Sequence, residues 1–147
     1  MAEDYVASST VTIDAPPARV WQVITDPAAV KEFMFGTELV TDWAVGGPIV
    51  WRGEWDGKNY EDKGEILELA PGQRLVHTHF SPLGGREDVA ANYHTVTWSL
   101  EDLGGTTRLT LVQVNNASAE AAQHSQGMWD RLVADVKQIA ERAQARP

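Results

Sequence analysis

From Ser118 to about Ala143 the sequence contains no proline, and Gly127 is its one glycine, while Ser125, Trp129, Leu132, Val136 and Ile139 recur at spacings of four, three, four and three. That rhythm is the stripe of an amphipathic α-helix. Asp130, Asp135, Gln138 and Glu141 fill the other face, and Arg142 and Arg146 suit the negative end of the helix dipole. A stripe this long must be buried, and no other segment reads as a helix of comparable length. The preceding residues therefore have to supply the surface that covers it.

Those residues read mainly as strands. Gly46-Gly47, Asp56-Gly57, Pro71-Gly72, Gly84-Gly85 and Gly104-Gly105 divide the middle of the chain at turn dipeptides. Between them, Ile49, Trp51, Gly53 and Trp55 alternate with Val50, Arg52 and Glu54, and Val96, Trp98 and Leu100 alternate with Thr95, Thr97 and Ser99. A period of two with one apolar face marks half-buried strands, and regular short turns make them an antiparallel meander. Ahead of the meander, Tyr5 to Ile13 is a β-branched run. Ala15-Pro16-Pro17 then opens a short helix through Val20, Trp21, Val23 and Ile24, and Asp26-Pro27 opens a second that Gly36 stops near Phe35. The expected fold is α+β: one domain over residues 1–147, with two short helices after the first strand, and an antiparallel sheet of six to seven strands facing a long C-terminal helix. Where a curved sheet meets a covering helix, a cavity can form.

Composition narrows the partners. Twenty-one acids against twelve bases give a net charge of −9, which repels nucleic-acid phosphates and anionic lipid surfaces. No apolar run approaches the length of a membrane span, and no basic and apolar leader opens the sequence, so the expectation is a cytoplasmic protein without nucleic acid and without membrane insertion. The chain has no cysteine, which excludes disulfides, thiolate metal sites and cysteine nucleophiles. Oligomeric state stays open, a homodimer included.

The succession Ile13-Asp14-Ala15-Pro16-Pro17-Ala18-Arg19-Val20-Trp21, Thr25-Asp26-Pro27, Gly46-Gly47, Gly64-Glu65-Ile66-Leu67-Glu68, Pro71 with Arg74-Leu75-Val76, Gly105-Thr106-Thr107-Arg108-Leu109 and Trp129 resembles the START-like, birch-pollen-allergen-like superfamily (SRPBCC). Its nearest likeness there is the branch related to the C-terminal domain of the activator of heat-shock protein 90 ATPase. The resemblance implies a helix-grip fold with a ligand-accepting cavity. It does not imply one activity, since the superfamily includes lipid carriers, hormone receptors and aromatic polyketide cyclases. The sequence departs from the branch after Arg74-Leu75-Val76, where His79 stands at a position usually aromatic. The expectation is a chain without the extra N-terminal domain of chaperone activators, which weighs against their co-chaperone role.

Leu75, His77 and His79 share one strand face, and the resemblance makes that face concave. His94 has the parity of Val96 and Trp98. Three imidazoles on one wall are suggestive of a metal, but no carboxylate or cysteine clearly completes a set, so no metal or other cofactor is assigned. Trp51, Trp55, Trp98 and Trp129 fall on expected inward faces, where filling the core is reason enough for them and lining a cavity is the alternative. Leu111, Gln113 and Asn115 continue the inward face of the last strand; the alternative for Asn115 is a cap between strand and helix. Met34 and Phe35 are candidates for the mouth. Glu61-Asp62-Lys63 and Gly84-Gly85-Arg86-Glu87-Asp88 read as solvated turns.

The reading that follows is a binding protein for a small hydrophobic molecule, aromatic or lipid-like, with ligand contacts from Trp51, Trp55, His77, His79, His94, Trp98, Leu111, Gln113, Asn115 and Trp129. One alternative is an enzyme of the polyketide cyclase/dehydratase or hydrolase kind, with His77 or His79 as general acid or base. Another is a co-chaperone-like interaction module.

Overall fold

The computed structural model describes residues 5–34, 36–55, 57–82 and 87–144. Strand β1 (Tyr5–Ile13) leads into helices α1 (Pro17–Thr25) and α2 (Pro27–Phe33). Six strands follow: β2 (Glu38–Thr41), β3 (Pro48–Trp55), β4 (Lys58–Ala70), β5 (Arg74–His79), β6 (His94–Asp102) and β7 (Thr107–Asn116). The long helix α3 (Ala119–Gln144) closes the chain. The strands form one seven-stranded antiparallel sheet in the order β1-β7-β6-β5-β4-β3-β2, so the first strand crosses over to pair with the last. This is the helix-grip architecture.

Local chemistry sets the boundaries. Asp26 ends α1 in an extended conformation and its carboxylate accepts from the Ala28 N–H at 3.1 Å, capping α2. Ser118 caps α3 in the same way, its hydroxyl oxygen accepting from the Ala121 N–H at 3.0 Å. Gly64 is where β4 presses most closely on β5: a Cβ built there would lie 1.8 Å from the Thr78 carbonyl oxygen. Only glycine fits that crossing.

The Glu61-Asp62-Lys63 run belongs to β4 rather than to a turn. Tyr60, Asp62, Gly64 and Ile66 share parity there, and fully buried Ile66 marks that side as the inner face. The side chain of Trp55, with Asp56 and residues 83–86, lies outside the described residues.

Helix α3 is seated unevenly. In its C-terminal half, Val133, Val136, Ile139 and Ala140 are buried in the core with Val20, Val23, Ile13 and Leu109. Arg19 of α1 donates to the carbonyls of Ile139 and Ala140 at 3.3 and 3.5 Å, holding that half down. In the N-terminal half the helix is tied to β1 at one side, through Gln126 to Ser8 and Ser9 to Asp130. There Ser125, Trp129 and Leu132 also line a cavity.

Candidate functional site

The cavity has a volume of about 270 Å³ and lies between the inner face of β3 to β7 and the first half of α3, bordered by the end of α2. Trp51 on β3, Trp98 on β6 and Trp129 on α3 supply its broad apolar walls, with Val96, Phe33 and Leu132. Tyr60 and Thr37 close one side. The Thr37 hydroxyl donates to the Met34 carbonyl at 2.7 Å, so its oxygen receives the Tyr60 hydroxyl at 2.6 Å. Gly53 makes room for that tyrosine, since a Cβ there would come within 2.5 Å of its oxygen.

Alternation along β5 sends both imidazoles inward, yet they differ chemically. His77 is 3% exposed. Its Nδ1 lies 2.9 Å from the Thr78 carbonyl, an acceptor, and its Nε2 lies 3.0 Å from the indole N–H of Trp98, a donor. Those partners fix the neutral tautomer with the proton on Nδ1. Burial, which strips water from the charged form, lowers its pKa to about 4; the Thr78 carbonyl acts against that and neighbouring His79 reinforces it. Both ring nitrogens are committed, so His77 has no site left for a proton from a bound molecule.

His79 is placed otherwise. Its Nε2 lies 2.9 Å from the Asp62 carboxylate on the adjacent strand β4, and its ring packs edge-on against Trp51 at 5.1 Å between centroids. Asp62 Oδ1, His79 Nδ1, Gln113 Oε1 and Trp129 Nε1 are all buried, and none has a hydrogen-bond partner among the described residues. All four residues line the same cavity. Buried polar groups are nearly always paired, so four without a partner on side chains around one cavity stand out from ordinary packing.

Trp51, His77, His79, Trp98, Gln113 and Trp129 thus come together at the cavity. Three expected members do not. Leu111 is fully buried and belongs to the core cluster with Leu132 and Val136. His94 begins β6, pairs across from His79 and stacks beyond it at 6.1 Å, with Nδ1 3.2 Å from the Val114 carbonyl, outside the cavity wall. Asn115 is exposed and donates to the carbonyls of Ala91 and Tyr93. It has φ +67°, and the β1–β7 register slips next to it, so this bulge inverts parity and turns Asn116 inward instead.

Met34 lines the cavity, whereas Phe35 lies outside the described residues. Asp62 is the residue that reasoning from sequence missed. Its charge suggested a solvated turn, but its parity with Tyr60 and Ile66 pointed inward. Among the described residues no cluster of three or more His, Asp or Glu side chains has metal-binding geometry.

No helix among the described residues is long and apolar enough to cross a membrane. No curated protein matches the chain in sequence. Solved structures do: the protein ChR145 of Cytophaga hutchinsonii is 39% identical, with a TM-score of 0.85 over 99% of both chains. The protein CV1439 of Chromobacterium violaceum is 21% identical over 92% of this chain and 96% of its own, with a TM-score of 0.71. The Aha1 dimer of Colwellia psychrerythraea shares the fold at 15% identity and a TM-score of 0.72, over 92% of this chain and 96% of its own. The family model for Activator of Hsp90 ATPase homolog 1-like protein matches residues 14–141, and the chain belongs to that family.

Proposed function

We propose that the protein binds a small, mainly apolar molecule between the sheet and the first half of α3. The observation that carries this reading is that four side chains lining one indole-walled cavity each carry a buried polar atom without a partner among the described residues. Apolar walls with a few convergent polar groups are the usual make-up of a ligand site, the walls supplying affinity and the polar atoms orientation. At about 270 Å³ the space falls just below the roughly 300–1,000 Å³ of sites for drug-sized molecules, so the ligand is a compact one. The test is uptake from a broad panel of small aromatics, lipids and polyphenols, read by native mass spectrometry and by tryptophan fluorescence. Trp51, Trp98 and Trp129 all border the cavity and will report occupancy; no uptake across the panel rejects the reading.

A second reading, catalysis, is favoured by one contact. The 2.9 Å pairing of His79 with Asp62 holds the ring by Nε2 and leaves Nδ1 without a partner among the described residues, the arrangement of a general base held by a carboxylate. His77 has no such freedom. On this reading His79→Gln abolishes turnover of a bound substrate while uptake persists, and activity unaffected by that change removes His79 from the chemistry.

A further inference from the structure

The unpaired atoms are not evenly divided between donors and acceptors. The carboxylate of Asp62 accepts from His79 through Oδ2, leaving Oδ1 as an acceptor. In the neutral imidazole, a proton on Nε2 directed at that carboxylate leaves a lone pair on Nδ1. Gln113 Oε1 is a third acceptor, against one donor, the indole N–H of Trp129. His77 adds nothing, since both its nitrogens are used within the protein.

Resting on the binding reading above, we propose that the ligand carries a protonated amine at its inner end, received by Asp62, His79 and Gln113, with an apolar body against the tryptophans. An ammonium offers up to three N–H donors, the number of unpaired acceptors on the side chains that line this part of the cavity. It also brings a positive charge to a mostly buried carboxylate: the Asp62 side chain is 16% exposed, and among the described residues His79 is its one hydrogen-bond partner. A buried anion is costly until it is paired. The net charge of −9 draws cations toward the molecule. The cation in the cavity wall, Arg131, is exposed on α3, where water and salt screen it. A carboxylate in the ammonium's place would set like charge against Asp62.

Three probes of matched size test this: 2-phenylethylamine, 2-phenylethanol and phenylacetate, titrated into the intact protein and followed by fluorescence and by the Trp129 indole N–H resonance. The amine is expected to bind at least about tenfold more tightly than the alcohol, as suits a charge-assisted contact, with the acid weakest. In Asp62→Asn the amine loses its advantage over the alcohol. If the alcohol or the acid binds as well as the amine, or if the variant keeps the preference, the amine assignment is overturned while binding as such stands. Failure of all three probes and of the broad panel overturns both. Should Asp62→Asn not fold, the order of the three probes on the natural protein decides the matter alone.

Discussion

His77 makes folding stability depend on pH in a window that its burial defines. In an unfolded chain its imidazole takes a proton near pH 6.5, whereas in the folded protein it resists until about pH 4. Above the higher value it is neutral in both states and contributes nothing to the pH dependence. As pH falls through the window the unfolded state gains a proton that the folded state does not, so stability drops by about 1.4 kcal/mol per pH unit. Below about pH 4 the folded form is protonated too and the loss levels off. From 6.5 to about 4 the sum is about 3 kcal/mol, a large share of the roughly 5–15 kcal/mol that holds a domain folded.

The perturbation is His77→Gln, and the assay is urea unfolding of both proteins at half-unit steps from about pH 7.5 to about pH 4. At the upper end the variant is less stable, by roughly 1–3 kcal/mol, because glutamine cannot serve both the Trp98 N–H and the Thr78 carbonyl. Carboxylates and the other histidines titrate alike in both proteins and cancel in the difference. The gap therefore closes, or reverses, as pH falls to about 4. A gap that stays constant over the whole range refutes the claim that His77 is held neutral by burial, and a fixed Nδ1-protonated tautomer in the ¹⁵N spectrum at neutral pH checks the same claim directly.

Other consequences are simpler. Trp98→Phe keeps the ring but removes the donor to His77 Nε2 at 3.0 Å; the orphaned acceptor lowers stability by about 1–3 kcal/mol in chemical denaturation, and an unchanged midpoint contradicts the bond. Gly64→Ala forces a Cβ to 1.8 Å from the Thr78 carbonyl, so β4 and β5 must separate; a loss beyond about 4 kcal/mol, seen as a low melting temperature or insoluble expression, is expected. Asp26→Ala removes the cap of α2 and lowers stability by about 1 kcal/mol, measurable by thermal unfolding.

Much of this molecule is determined by patterning that is local in the chain. The stripe from Ser125 to Ile139, the turn dipeptides and the Asp26-Pro27 restart are consequences of the 3.6 and 2.0 periods and of backbone chemistry, so the element order and the facing of Trp51 and Trp98 were legible without coordinates, whereas alternation left the face of His77 open and only the family resemblance favoured the inward one. What escaped depends on register and on neighbours distant in sequence. Asn115 turns outward because a bulge where β7 meets β1 breaks the alternation. Asp62 and His79 become a pair because β4 and β5 lie side by side. His77 loses its proton-transfer capacity to an indole twenty-one residues away. The one-sided seating of α3, with Arg19 fastening one half while the other fronts an open space, is a property of packing in three dimensions. Periodicity tells each side chain which face to take; only the assembled layers decide whether that face is filled, paired or left open.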